Sequence, residues 1–135
     1  MVTAGKTTNE TVNKTILIVE DEPDTVEMFA EMMRLSGYRV LKSYGSKSAI
    51  SMLAQEKPDG VILDLMLPDV SGLEVLRFIR SQPTLMHIPV IVISAKSLPV
   101  DIKTGMEMGA SIYLTKPVTF LEFKKAIETA IPKND

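Results

Sequence analysis

The 135-residue sequence has no cysteine, and aromatic residues make up only 5% of it. The absence of cysteine excludes disulfide bonds, thiol nucleophiles and cysteine-ligated metals, and it is typical of proteins from a reducing cytoplasm. Few aromatic residues and 45% hydrophobic residues favour an aliphatic core between helices and a sheet. A chain of this length is expected to form one domain with a full core.

The chain also lacks a strong net charge and any long apolar run. Its net charge is −2 and its pI is near 5.5, so no basic surface would attract nucleic acid. No apolar stretch approaches the length of a membrane-spanning helix, and the first residues do not have the pattern of a signal peptide. We therefore expect a cytoplasmic protein that binds neither nucleic acid nor membranes directly.

Hydrophobic periodicity predicts strands that alternate with helices. Short β-branched or aliphatic runs predict five strands, at residues 15–19, 38–41, 61–63, 90–93 and 111–114. Helical spacing and helix-end signals predict five helices, at residues 23–36, 46–55, 72–80, 99–108 and from 119 onward. This alternation predicts a doubly wound, flavodoxin-like (βα)5 fold of the α/β class, in which a five-stranded parallel sheet has the strand order 2-1-3-4-5.

The first residues differ from the rest of the chain. Residues 1–14 are polar and have no sustained periodicity, which predicts a flexible tail before a domain at residues 15–131. Within the domain, helical spacing predicts which side chains face the core. In the third and fifth helices the predicted core residues include Leu73, Leu76, Ile79, Phe120, Phe123 and Ile127.

Chemically active side chains are concentrated at the ends of four predicted strands. Glu20 and Asp21 follow the first strand, Asp64 follows the third, Ser94 the fourth and Lys116 the fifth. In an open parallel sheet, ligands bind in the crevice outside the carboxyl ends of the strands. These groups are therefore expected to converge.

Glu20, Asp21 and Asp64 are carboxylates on two strands that the predicted order makes neighbours. Like charges raise one another's pKa and destabilise a fold unless a cation lies between them. Mg²⁺ suits such a site because it prefers one or two carboxylates together with water and phosphate oxygens. The alternative is that Glu20 and Asp21 only cap the helix that begins at Pro23, since acidic groups are favourable at helix N-termini.

Asp64 ends a hydrophobic strand, and no predicted helix begins before Gly72. A carboxylate in this place can act as a nucleophile that forms an acyl phosphate. Phosphoryl transfer depends mainly on positioning and on positive charge around the phosphoryl oxygens. Mg²⁺ held by Asp21 and Asp64 would supply one source of this charge, and the Lys116 ammonium a second. The Ser94 hydroxyl can donate a hydrogen bond to a further oxygen.

These residues, in this order, resemble the receiver domain of two-component response regulators, the family of the single-domain chemotaxis regulator. The resemblance extends over residues 15–131. The matching positions are the Glu20–Asp21 pair, Asp64, Ser94, Tyr113 and the Lys116–Pro117 pair, with the proline-to-glycine turn at residues 67–72.

The resemblance implies a role for each matching position. Asp64 would be the phosphoacceptor. Asp21, Asp64 and the Met66 main-chain carbonyl would bind Mg²⁺, with Glu20 acting through water. Lys116 would contact the phosphoryl group.

The resemblance also implies a conformational switch in a signalling domain. Ser94 would be the switch hydroxyl, and Tyr113 the aromatic residue that turns inward on activation. The Lys116–Pro117 bond would be cis. The domain would not be an enzyme acting on other molecules, since it would catalyse only its own phosphorylation and dephosphorylation.

The implied partners are a phosphoryl donor and a downstream target. The donor would be a histidine kinase or a histidine phosphotransfer protein, with acetyl phosphate as a small-molecule donor. The target, a separate protein or a fused effector, would bind the surface formed by the fourth helix, fifth strand and fifth helix. A homodimer through the same surface is a further partner, although Ser111 and Ile112 replace two acids that many transcription-factor receivers carry there.

Other function classes use a similar fold. A haloacid-dehalogenase-type phosphatase needs a second acid two residues after its nucleophile, where this chain has Met66. A flavodoxin-like flavin carrier needs a Ser/Thr/Gly-rich phosphate loop after the first strand, where this chain has acids and Pro23. The remaining alternative is a degenerate receiver that binds partners without being phosphorylated.

Overall fold

Strands and helices alternate along the part of the chain that the computed structural model describes, residues 13–133. The strands are β1 (Thr15–Val19), β2 (Arg39–Ser43), β3 (Gly60–Leu63), β4 (Val90–Ser94) and β5 (Ile112–Thr115). The helices are α1 (Pro23–Leu35), α2 (Ser46–Glu56), α3 (Gly72–Ser81), α4 (Pro99–Glu107) and α5 (Phe120–Ala130). The predicted elements are confirmed, with ends that differ by one or two residues. The predicted tail lies outside the described residues, except for residues 13 and 14.

The strands form one parallel sheet whose order is β2-β1-β3-β4-β5, as predicted. In its register, Val19 at the end of β1 lies beside Leu63 at the end of β3. The Asp64 amide then donates to the Val19 carbonyl at 3.0 Å, which extends the pairing by one residue. The chain therefore leaves β1 and β3 side by side, with acidic residues in both exits.

Each face of the sheet has its own hydrophobic core because strand residues alternate between the two faces. Ile16 and Ile18 of β1 pack with α1 and α5, where the Phe29 and Phe123 rings stack with centroids 4.8 Å apart. Leu17 of β1 faces the other side, against α2 and α3. Each fully buried aliphatic side chain contributes about 1.5–3 kcal/mol to the stability of the fold. These two layers hold the strand ends in place.

The core of two helices differs from the prediction. In α3, Val75 is buried with Leu76 and Ile79, whereas Leu73 is only partly buried. In α5, Phe120 is 51% exposed, while Phe123 and Ile127 are buried as predicted. Leu73 and Phe120 both lie in the first turn of their helices, and helical spacing alone does not show whether neighbouring elements cover that turn.

The helix ends follow local sequence signals. Glu22 is the N-cap of α1 and accepts hydrogen bonds from the Asp24 and Thr25 amides at 2.8 and 3.2 Å. At the N-terminus of α5, Thr119 and Glu122 form a capping box.

Among the helices in residues 13–133, none combines the length and the apolar character that a membrane span requires.

Candidate functional site

The loops that follow β1, β3, β4 and β5 meet at the carboxyl edge of the sheet. The Lys116 amide donates to the Ser94 carbonyl at 2.9 Å, which joins the ends of β5 and β4. The corresponding bond from Asp64 to Val19 joins β3 to β1. Glu20, Asp21, Asp64 and Lys116 come together at this edge, as predicted.

Three carboxylates form the centre of this site. One oxygen from each of Glu20, Asp21 and Asp64 lies within 4.8 Å of the others. Glu20 and Asp64 are 3% and 6% exposed, whereas Asp21 is exposed to solvent. Burial raises the pKa of Glu20, and the nearby Asp64 charge adds to the rise, while hydrogen bonds from Lys116 and Glu22 oppose it. Two acids are thus kept close together and mostly out of water.

The capping alternative for these acids does not match the contacts. Glu22, not Glu20 or Asp21, is the residue whose side chain caps α1. The Glu20 carboxylate instead accepts hydrogen bonds from the Glu22 amide at 3.1 Å and from Lys116. Glu20 is therefore directed into the acidic cluster.

Lys116 is the counter-ion of the two buried carboxylates. Its ammonium nitrogen lies 2.8 Å from Glu20 Oε1 and 2.9 Å from Asp64 Oδ2. Burial lowers the pKa of Lys116, but the hydrogen bonds and charges of Asp64 and Glu20 outweigh it, and the net shift is upward. The ammonium group therefore stays charged. The Lys116–Pro117 bond is cis, as the resemblance implied.

Both oxygens of Asp64 have protein donors. Oδ1 accepts from the Met66 amide at 2.9 Å, and Oδ2 accepts from Lys116. The Gly72 amide donates to the Leu65 carbonyl at 2.9 Å, so the chain folds back tightly after Asp64. A Cβ atom at position 72 would lie 2.3 Å from the Asp64 carbonyl oxygen, which explains why glycine stands there.

An open groove of about 460 Å³ lies beside the acidic cluster. Its walls come from the loops that follow β1, β3 and β4. They are formed by Asp21, Leu65, Met66, Leu67, Pro68, Ser71 and Lys96. The groove is open to solvent and bordered by Asp21 and Met66, so the acidic cluster can be reached from outside the protein.

Ser94 and Tyr113, the predicted switch pair, meet through the backbone of Lys96. Ser94 is fully buried, and its hydroxyl accepts from the Lys96 amide at 3.2 Å. The Tyr113 hydroxyl donates to the Lys96 carbonyl at 2.8 Å. Burial raises the pKa of Tyr113, and the Ser94 side chain partly offsets that rise. The Tyr113 ring packs on Gly105 of α4, where a Cβ atom would lie 2.8 Å from two ring carbons.

The sequence did not predict the contacts of Asp69, which lies in the loop between β3 and α3. Its carboxylate accepts hydrogen bonds from the Ser46 and Lys47 amides at 2.9 and 3.0 Å. These bonds lower the pKa of Asp69 to about 2. A signal was present in the sequence, because Gly45 precedes α2 and has no side chain to cap it. The signal could not identify which distant residue supplies the acceptor.

The donor set suits a hard divalent cation. Three carboxylates and one ammonium group leave an excess of two negative charges around one point. Carboxylate oxygens are the ligands that Mg²⁺ prefers, and the groove leaves room for water or phosphate oxygens. The residues present therefore fit the predicted magnesium ion.

A model of the response regulator receiver domain family matches residues 16–128. The chain is 30% identical over 116 residues to the polar-differentiation response regulator DivK of Brucella anthropi, and the match covers 86% of this chain and 94% of DivK. It is 39% identical over 115 residues to a probable cyclic di-GMP phosphodiesterase of Vibrio cholerae, which covers 85% of this chain but only 26% of that protein.

A solved structure supports the same likeness. The receiver domain of the sensor histidine kinase PA1611 from Pseudomonas aeruginosa has a TM-score of 0.81 and 28% sequence identity to this chain. The match covers 89% of this chain and 98% of the other. In that structure a magnesium ion is coordinated in the active-site cleft. The predicted fold is confirmed by this comparison.

Proposed function

This chain belongs to the response regulator receiver domain family, and we propose that Asp64 is the residue on which it accepts a phosphoryl group. The chain is a signalling domain of two-component systems, homologous to phosphorylatable response regulators. The observation that carries the assignment is the position of Asp64. Its carboxylate is held between the Met66 amide and the Lys116 ammonium, within the acidic cluster.

In the proposed reaction, an Asp64 oxygen attacks the phosphorus atom of a phosphohistidine on the donor protein. The new O–P bond forms as the P–N bond breaks, and the donor imidazole takes up the electron pair. The Lys116 ammonium is 2.9 Å from Asp64 and stabilises the charge on the phosphoryl oxygens. The domain therefore catalyses only its own modification, followed by hydrolysis of the acyl phosphate.

Receiver domains bind Mg²⁺ in their acidic pocket, as the PA1611 structure illustrates. The ligands proposed for this chain are Asp21, Asp64 and the Met66 carbonyl, with Glu20 acting through water. When bound, the ion supplies positive charge to the phosphoryl oxygens. Asp21 is the proposed ligand whose loss should disturb the fold least, because it is exposed and neither Lys116 bond involves it.

Mg²⁺ is expected to stabilise the folded protein because it separates the three carboxylates. If Mg²⁺ binds with a dissociation constant of about 1 mM, about 10 mM Mg²⁺ would add roughly 1.4 kcal/mol to the free energy of unfolding. The melting temperature would then rise by roughly 5 °C. Asp21→Asn should blunt this increase. Asp24→Asn is the matched control, since Asp24 is an exposed acid of the first turn of α1 outside the cluster. Identical melting curves in EDTA and in Mg²⁺ would remove the ion from the proposal.

Receiver domains of this kind partner with histidine kinases and downstream effectors. For this chain, the proposed donor is a histidine kinase or a histidine phosphotransfer protein. The proposed target surface is formed by α4, β5 and α5. A shallow groove of about 260 Å³, which includes Ile112, Leu114 and Ala126, supports an apolar contact there. A homodimer through this surface and a cytoplasmic location remain predictions.

The coupling of Asp64 to this surface can be tested with Ser94→Ala. If the phosphoryl group attracts the Ser94 hydroxyl, Tyr113 can turn toward the vacated space and move α4. Beryllofluoride, a phosphoryl mimic, should then shift the amide NMR signals of residues 98–125 in the wild type. In Ser94→Ala these shifts should largely disappear while the acidic cluster still responds.

The matched control for this experiment is Ser48→Ala, which removes an exposed hydroxyl from α2. It should respond like the wild type. If residues 98–125 of the wild type are unmoved by beryllofluoride, or if Ser94→Ala responds fully, the proposed switch is wrong. Either result would leave the assignment of Asp64 intact.

A further inference from the structure

The loop that follows the proposed phosphoacceptor, residues 65–71, is here called the phosphoacceptor loop. Its first part is held by the bond from the Gly72 amide to the Leu65 carbonyl. Its second part is held by Asp69 and Val70, which contact the N-terminus of α2. The loop is therefore attached to the fold at two separate places.

The second attachment consists of three hydrogen bonds. The Asp69 carboxylate accepts from the Ser46 amide at 2.9 Å and from the Lys47 amide at 3.0 Å. The Ser46 hydroxyl donates to the Val70 carbonyl. We call these contacts the α2 latch. They join residues that lie 22 to 24 positions apart in the sequence.

The N-terminus of α2 depends on Asp69 for a side-chain acceptor. The first amides of a helix have no partner within the helix, and a negative charge near them is favourable. The N-cap residue is Gly45, so the helix start offers no side-chain oxygen of its own. A Cβ atom at position 45 would lie 3.3 Å from both Asp69 carboxylate oxygens, so the absence of a side chain there leaves room for the latch.

The latch is linked to the chemistry of the site through Met66. The Met66 amide belongs to the phosphoacceptor loop and donates to Asp64 Oδ1 at 2.9 Å. Met66 also lines the groove together with Asp21. A displacement of the loop would therefore change both the donor on the Asp64 carboxylate and one wall of the groove.

We infer that Asp69 is a positioning residue for phosphorylation: by tying the phosphoacceptor loop to α2, it directs the Met66 amide at Asp64. This inference rests on the proposed function of Asp64. Asp69 itself is exposed and is not among the groove-lining residues, so it acts through the loop and not on the phosphoryl group.

The test compares Asp69→Ala and Asp69→Asn with the wild type and with Glu74→Gln. Glu74 is an exposed acid of α3 whose only ion pair, among the described residues, is with Arg77 at 3.7 Å. With Mg²⁺ and acetyl phosphate, Asp69→Ala should be phosphorylated about tenfold more slowly, since small displacements of reacting groups have effects of this size. Asp69→Asn keeps one acceptor oxygen and should be intermediate. Glu74→Gln should match the wild type.

A second measurement distinguishes positioning from a general loss of stability. At a temperature where melting curves show all variants folded, the Met66 amide of Asp69→Ala should shift in NMR spectra and exchange its hydrogen faster. The amides of β4 and β5 should be unchanged. Mg²⁺ titrations followed at Asp21 and Met66 should show weaker binding in Asp69→Ala.

Gly45→Ala provides a second variant if Asp69→Ala does not fold. Gly45 has a φ of −164°, which alanine can also adopt. The added methyl group would press on the Asp69 carboxylate without removing it. We expect a smaller change in the same direction. An Asp69 or Gly45 variant that folds, reacts at the wild-type rate and leaves Met66 unmoved would overturn the inference. A wild type that is not phosphorylated would instead overturn the proposed function.

Discussion

Asp64→Asn is expected to abolish phosphorylation of this protein. A carboxamide is a poor nucleophile toward phosphorus and cannot form the acyl phosphate. Its oxygen can still accept from the Met66 amide, so the loop should keep its position. With Mg²⁺ and acetyl phosphate, the wild type should gain one phosphoryl group that hydroxylamine removes. Intact-mass spectrometry before and after hydroxylamine treatment measures the gain of the phosphoryl group and its removal.

Asp24→Asn is the control for this experiment, because it makes the same chemical change on an exposed acid of α1 outside the cluster. It should be phosphorylated like the wild type. Phosphate found on a serine, or on Asp64→Asn to the same extent as on the wild type, would contradict the assignment. A wild type that binds partners but accepts no phosphate from any donor would favour the degenerate receiver.

Lys116→Met is expected to cause a large loss of stability. Glu20 and Asp64 are almost fully buried, and Lys116 is hydrogen-bonded to both. Removal of one partner from a buried ion pair leaves an uncompensated charge, which costs about 3 kcal/mol after allowance for the partly exposed ammonium group. The free energy of unfolding in EDTA, from denaturant titration, measures this loss.

Mg²⁺ should reverse part of the Lys116→Met defect, because the ion would neutralise the same carboxylates. The difference in stability between the variant and the wild type should therefore be smaller in Mg²⁺ than in EDTA. Lys124→Met is the control, since Lys124 pairs with Glu128 on the surface of α5 and should contribute at most about 1 kcal/mol. If Lys116→Met and Lys124→Met lower the free energy of unfolding by the same amount, Lys116 is not the counter-ion of the acidic cluster.

The contacts of the site also connect Asp64 to a protein surface. Lys116 joins Asp64 to the end of β5, and its amide is bonded to the Ser94 carbonyl. Lys96 then joins Ser94 to Tyr113, whose ring packs on Gly105 of α4. A change at Asp64 therefore has a continuous path of contacts to α4 and β5. The beryllofluoride experiment tests whether that path is used.

The order of the elements and the location of the site could be predicted from the sequence alone. Apolar runs such as residues 15–19 and 90–93 are local signals, because a buried parallel strand needs a nearly continuous apolar segment. The convergence of Asp64 and Lys116 could be predicted without knowing any contact between them, because all strands of a parallel sheet end at the same edge. The family resemblance supplied the proposed roles of these residues.

The partners of individual side chains depended on long-range packing. Lys116 reaches Glu20 across 96 positions of sequence, and Asp69 reaches Ser46 across 23. No local pattern encodes such a pair, since it forms only when the sheet brings two loops together. The exposure of Phe120 has the same origin, because a first-turn residue is buried only if a neighbouring element covers it. Periodicity thus determines which elements form, whereas the packing of distant elements determines which charges pair and which apolar groups leave water.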